Sequence, residues 1–202
     1  MKVIEQLLVN AGISPIAGVD EAGRGACAGP LVIASVVLND PFAAELATVR
    51  DSKEIPESKR DAVFDLIHSV AASVSVVIVP AAEVDSRGVH AANLDGMRRA
   101  VQGLSIEPAY VLTDGYAIEG LGVPNLAVWK GDQVVVSISA ASVIAKVTRD
   151  RIMRELDAEF PQYGFAGHKG YITAAHTKAL NEHGPCAEHR TSFANVAALI
   201  HK

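Results

Sequence analysis

The sequence predicts an α/β domain, a sheet of largely buried strands with helices on both faces, and three observations carry that expectation. Strand-like and helix-like segments alternate along the chain. The strand-like ones are apolar almost without interruption, as strands covered on both faces are. Two of them give out into acids, Asp20-Glu21 and Asp114, at the strand ends where open α/β sheets bind their ligands.

Pro15 to Val19 is the first apolar run, and it stops at Asp20 and Glu21. Taking two adjacent carboxylates out of water is costly, so a positive partner is expected to meet them. The next residues place Gly23, Gly25 and Gly29 around Arg24. A turn needs one glycine; three point to backbone brought close to a ligand. Carboxylates beside open backbone N–H groups suit a metal ion bound next to a phosphate or sugar. The plainer alternative is a strand end followed by a flexible loop.

Leu31 to Leu38 is β-branched, apolar and closed by Asn39-Asp40-Pro41, the pattern of a strand buried on both faces. Pro56 opens a surface helix with Val63, Phe64, Leu66 and Ile67 on one side. Ser73 to Val79, ended by Pro80, is the third strand, and Val89 to Leu104 is an amphipathic helix turning Met97, Val101 and Leu104 inward. Ala109 to Thr113 is the fourth strand and ends in Asp114-Gly115, repeating the arrangement at Asp20. Leu126 to Trp129 is the fifth, with Lys130-Gly131-Asp132 as a turn.

From about Ser137 to Phe160 the composition is helical, and Pro161 stops it. Ser142, Lys146 and Asp150 stand four apart on one face of that helix, with Val143, Val147 and Met153 on the buried one. A short helix from about Thr173 ends at Gly184-Pro185, and Phe193 to Ile200 is a last apolar segment. Asp20, Glu21 and Asp114 at strand ends, with Asp150 from the helix, are thus expected to share one cleft. Neighbours on a strand point to opposite faces, so Asp20 and Glu21 serve one site only if the strand ends there or one offers its backbone carbonyl.

With 202 residues, half of them hydrophobic, the chain is expected to form a single domain, residues 1–202, with a substantial core. No apolar run reaches the roughly 18 residues of a membrane span and the first residues lack a signal peptide's apolar centre, so a cytoplasmic protein is expected. Cys27 and Cys186 read as free thiols. A net charge of −5 argues against holding nucleic acid by bulk positive charge. Local basic groups remain: Arg50 with Lys53, Lys59 with Arg60, Arg98 with Arg99, and Lys146, Arg149, Arg151 and Arg154.

Five stretches together resemble the type 2 ribonucleases H, specifically the bacterial ribonuclease HII family: Gly18-Val19-Asp20-Glu21-Ala22-Gly23-Arg24-Gly25, Asp51-Ser52-Lys53, Thr113-Asp114-Gly115, Ser139 to Asp150, and His168-Lys169-Gly170-Tyr171. They follow the family's order from Gly18 to about Phe193. The resemblance implies an RNase H-like fold, a mixed five-stranded sheet flanked by helices on both faces. It also implies hydrolysis of the RNA strand of RNA–DNA hybrids, and cutting 5′ of ribonucleotides embedded in duplex DNA, leaving 3′-hydroxyl and 5′-phosphate ends. By it the metal-binding carboxylates are Asp20, Glu21, Asp114 and Asp150, holding two Mg²⁺ or Mn²⁺ ions. Hard oxygen ligands suit those ions, and neither the histidines nor the cysteines show a zinc spacing. For each acid the alternative is an ordinary salt bridge, strongest for Asp150 between Arg149 and Arg151 and one turn after Lys146.

The resemblance further implies that the Gly23-Arg24-Gly25 backbone approaches the ribose and that Tyr171 stacks on the sugar and senses the 2′-hydroxyl at the RNA–DNA junction, the group that marks a ribonucleotide within DNA. Lys53, Lys146 and Lys169 are candidate phosphate contacts. Ribonuclease HIII, the sister group, usually has lysine where this chain has Arg24, and carries an extra N-terminal domain. One departure is Thr191, where many bacterial relatives have a second arginine. The partner implied is hybrid or ribonucleotide-containing duplex, met by a monomer. Two rivals remain. A nucleotide hydrolase would explain an apolar run ending in Asp-Glu, but no Gly-x-x-x-x-Gly-Lys-Ser/Thr occurs. A module that binds hybrids without cutting them would not need the acids.

Overall fold

The computed structural model describes residues 3–49, 52 and 54–200. In chain order the elements are α1 (Val3–Asn10), β1 (Ile16–Ala22), β2 (Leu31–Leu38), a 3₁₀ turn (Ala44–Thr48), α2 (Glu57–Val70), β3 (Ala71–Val79), α3 (Ala81–Arg87), α4 (Val89–Gln102), β4 (Tyr110–Asp114), β5 (Asn125–Val128), α5 (Gly131–Val134), α6 (Val136–Glu159), α7 (Phe165–His168), α8 (Ala174–His183) and α9 (Ala194–Ile200). The strands form one mixed five-stranded sheet in the order β3-β2-β1-β4-β5. β3, β2 and β1 pair antiparallel, whereas β1, β4 and β5 run parallel.

Strand alternation divides the core in two. Ala17 and Val19 of β1, with Leu31, Ile33 and Val37 of β2, pack on Met97, Ala100 and Val101 of α4. On the opposite face Ala22, Val32, Ala34 and Val36 meet Ala140, Ala141, Val143 and Ile144 of α6 and Ile67 of α2. β2 is buried along its whole length, as its unbroken apolar run predicts.

The start of α6 presses on the middle of β1. A Cβ on Gly18 would overlap the Ser137 backbone, so glycine is what lets the helix lie that close. The first orphan N–H groups of α6 find a partner in α1: buried Glu5 accepts from the Val136 N–H at 2.8 Å and the Ser137 N–H at 3.0 Å. Val136 through Ala145 are all buried, so this part of the helix shows no exposed polar stripe.

Three differences from the sequence reading bear on the site. β1 continues through Asp20 and Glu21 to Ala22 rather than stopping at Val19, because Ala22 still pairs with Val32 of β2. α3 lies between β3 and α4 as a separate short helix, closed by Gly88 at φ +78°. The residues read as a turn after β5 form α5.

The glycine loop is fastened from behind by two fully buried arginines. Arg149 of α6 donates to the carbonyls of Pro30 (2.8 Å), Lys169 (2.8 Å) and Ala28 (3.0 Å). Arg190 donates to Gly29 through Nε (3.1 Å) and Nη2 (2.9 Å), and to Arg24 (3.2 Å). Burial lowers the pKa of both, that of Arg190 to about 10, so Arg190 remains a cation at neutral pH. A Cβ on Gly23, at φ +89°, would overlap Arg149. Gly29, at φ +77°, stands equally close to Met153. The close approach at these two glycines is therefore to α6, while Gly25 has open space beside it.

Candidate active site

Register places the first two acids. Val19 pairs with Thr113 in the parallel β1–β4 ladder, so the next residues, Asp20 and Asp114, sit side by side and point to the α6 face. α5 begins where β5 ends, and its second residue is Asp132. One carboxylate oxygen from each of Asp20, Asp114 and Asp132 lies within 4.8 Å of the other two. Asp20 and Asp132 are buried, at 5% and 4% exposure. The second Asp114 contact that fixes this arrangement is the Gly131 N–H, which donates to Oδ1 at 2.7 Å.

Burial, then the charges of Glu21 and Asp114, push the Asp20 carboxyl well above its ordinary range. Hydrogen bonds from Ser142 and from the Glu21 N–H, at 2.7 Å to Oδ1, act the other way without prevailing. Ser142 is in turn held by Ser52, their hydroxyls 3.0 Å apart and both buried. Arg60 of α2 secures this corner by donating to the carbonyls of Ser52 (2.9 Å) and Ile55 (3.0 Å).

Asp20 and Asp114 line a cleft of about 500 Å³ that also takes in Glu21, Gly23, Arg24, Gly25, Lys146 and Tyr171, and Asp132 lines the recess adjoining it. Glu21 leaves β1 on the face opposite Asp20 and lines the cleft; it is outside the close group of three. Tyr171 is 39% exposed, and the buried Arg149 guanidinium lies 5.5 Å from its ring. Arg24 lays its guanidinium 4.6 Å over the ring of Tyr116.

Two expected site residues stand elsewhere. Asp150 is held by Lys146 at 2.8 Å and by Arg60 at 3.6 Å. It faces a small recess with Glu57, Asp61 and Arg154 rather than the cleft. The cause is helix geometry: Ser142 is level with Asp20, and Asp150 comes eight residues later, about 12 Å further along α6 at about 1.5 Å per residue. The salt-bridge alternative is the arrangement Asp150 adopts. Lys169 is also turned away: it is 8% exposed, its ammonium donates to the Ala166 carbonyl, and Glu57 lies 3.6 Å off. Lys53 lies outside the described residues.

The residue that sequence reasoning missed is Asp132. Its signal was present: the run Leu126 to Trp129 is followed by an acid, as the runs before Asp20 and Asp114 are. Lys130-Gly131 between strand and acid disguised it as a solvated turn.

Such a sheet, order and acid group define a fold of the RNase H type, and the solved structures agree. The chain superposes on the ribonuclease H2 of Pyrococcus horikoshii with a TM-score of 0.79 at 26% identity, covering 91% of this chain and 96% of that one. At the level of sequence, a profile of the Ribonuclease HII family matches residues 17–196. The ribonuclease HII of Acidothermus cellulolyticus is 57% identical over 192 residues, 95% of this chain and 62% of that protein. That of a Parafrankia species is 57% identical over 195 residues, 96% of this chain and 81% of that protein. The chain belongs to the ribonuclease HII family, and is thereby a ribonuclease of the H type.

Proposed function

We propose that the chain is an endoribonuclease that cuts the RNA strand of RNA–DNA hybrids and cuts duplex DNA on the 5′ side of an embedded ribonucleotide, leaving 3′-hydroxyl and 5′-phosphate ends. The observation that carries this reading is the close group of Asp20, Asp114 and Asp132, where two open recesses meet. Three acids this close, two of them out of water, repel one another, and a bound cation would offset that repulsion. Among the described residues no lysine or arginine forms an ion pair with Asp20 or Asp114. The donor set is all hard oxygen, which fits Mg²⁺ or Mn²⁺.

Asp20, Asp114 and Asp132 would hold such ions, with Glu21 beside them in the cleft lining. Two divalent ions, when bound, supply an attacking water of lowered pKa and a counter-charge for the departing 3′ oxygen. The protein's own groups do the rest. Ser142 and Ser52 fix the Asp20 carboxylate in place. Lys146 lines the cleft with its ammonium between Asp150 and the opening, where it meets substrate phosphate. Gly25, with no neighbour within 4 Å of a would-be Cβ, leaves backbone accessible to a ribose. Tyr171 offers an exposed ring for the adjoining sugar.

Among the described residues no helix is long and apolar enough to cross a membrane. We place the activity in the cytoplasm and in a monomeric catalytic domain that spans the chain. The test is cleavage of a duplex with one ribonucleotide, in Mg²⁺ and in Mn²⁺, by wild type and two variants. Asp132→Asn is expected to lose at least a hundredfold in kcat, and Asp150→Asn to lose less than tenfold. The opposite ranking would return the fourth ligand to Asp150, and wild type inert in both ions would end the reading of cleavage at an embedded ribonucleotide.

A further inference from the structure

Trp129 is the only tryptophan in the chain, and it is 82% exposed. Tryptophan is the side chain with most apolar area to hide, so a ring left in water beside a polar cleft calls for a partner that covers it. Its position is fixed: Val128, the last residue of β5, points into the core at 7% exposure, and alternation turns Trp129 outward. Lys130 follows in the left-handed region at φ 53° and ψ 45°. Residues other than glycine enter that region at a cost and are enriched there at functional positions. Lys130 is exposed and, among the described residues, joins no ion pair.

Both residues border a second recess, of about 590 Å³, that includes Tyr116 and Gln133. It shares Glu21, Arg24 and Asp114 with the cleft that contains Tyr171. The acids therefore have an aromatic–lysine pair on each side: Tyr171 with Lys146, and Trp129 with Lys130. The recess floor is acidic, from Glu21, Asp114 and Asp132. A free anion is repelled there. A group with an uncharged face for Trp129 and one negative charge set outward for Lys130 fits, and a nucleotide unit within a duplex has that chemistry.

The geometry points to a second substrate subsite, in which Trp129 packs on a sugar of the duplex on the side of the cleavage point away from Tyr171 and Lys130 meets its phosphate. This rests on the nucleic-acid reading above and adds to it where the duplex continues. A lone tryptophan makes the binding readable by its own emission. Titrating the wild-type protein in EDTA with a short RNA–DNA hybrid should quench or shift that emission saturably. With Mg²⁺, Trp129→Ala should raise KM roughly ten- to hundredfold and leave kcat within about twofold, the range that stacked aromatics contribute. Trp129→Tyr should recover most of the loss and Trp129→Leu should not, since bulk without an aromatic face does not stack. Lys130→Gln should reduce the slope of log KM against log salt by about one. Emission that does not respond to hybrid, together with wild-type KM in Trp129→Ala, overturns the subsite while leaving the nuclease reading intact. Wild type that cleaves neither hybrid nor ribonucleotide-containing duplex fails the underlying reading instead.

Discussion

Replacing Asp20 by asparagine separates what the carboxylate does for the fold from what it does for the chemistry. Its oxygen lies within 4.8 Å of those of Asp114 and Asp132. Two unit charges at that distance repel by about 3 kcal/mol at an effective dielectric of about 20. Burial and the neighbouring charges raise the Asp20 carboxyl above its ordinary range, and asparagine keeps the acceptor that meets the Glu21 N–H at 2.7 Å. The net gain for the metal-free variant is then about 2–3 kcal/mol, and at about 2–4 °C per kcal/mol for a chain of this size it should melt about 5–10 °C higher. The sign with pH follows. A carboxyl whose folded pKa is raised above the ordinary 3.8 binds protons more tightly in the native state. Metal-free wild type therefore loses stability as pH rises from 3.8 through the raised value, and Asp20→Asn lacks that slope. Thermal melts in EDTA between pH 4 and pH 8, paired with cleavage in Mg²⁺, make the measurement. Cleavage should fall by at least a hundredfold. A variant that melts below wild type in EDTA would show that Asp20 is a net stabilising contact, and the repulsion argument would be wrong.

Glu5→Gln tests the tie between α1 and α6. An amide supplies one acceptor where the carboxylate serves two N–H groups at 2.8 and 3.0 Å, so a loss of about 1–3 kcal/mol and a fall of roughly 3–10 °C in Tm are expected with KM unchanged. An unaltered melt would remove Glu5 from the account of how α6 is positioned. Tyr171→Ala should cost cleavage of a single embedded ribonucleotide about ten- to hundredfold in kcat/KM and cost a long hybrid much less. Equal losses on the two substrates would leave Tyr171 as a packing residue beside Arg149.

The sheet was legible because its signals are redundant. Each of β1 to β4 shows a β-branched apolar run bounded by proline, glycine or acid, and alternation then assigns the two faces without further information. The pieces that escaped are short. α5 has four residues and α3 seven, too few for a helical period to emerge. The early turns of α6, buried all round, have no polar face to announce which way they point.

The site was legible where the sheet itself brings residues together, and misleading where a helix carries them away. Asp20 and Asp114 follow from adjacent parallel strands in register. Asp150 looked equivalent because it shares a helical face with Ser142 and Lys146, yet same-face residues on a helix drift apart by about 6 Å every four residues. Only Ser142 is level with Asp20, and the intervening Lys146 is the partner that i,i+4 spacing offers an acid. Loop glycines posed the same ambiguity: Gly23 and Gly29 make room for Arg149 and Met153, and only Gly25 is open. Hence the run Thr148-Arg149-Asp150 reaches the glycine loop through its arginine, while its acid lies beside Lys146 and Arg60. With three loop and strand-end carbonyls bound to one buried guanidinium, the glycine loop and the segment before Tyr171 are fixed to the same helix that presents Ser142 to Asp20.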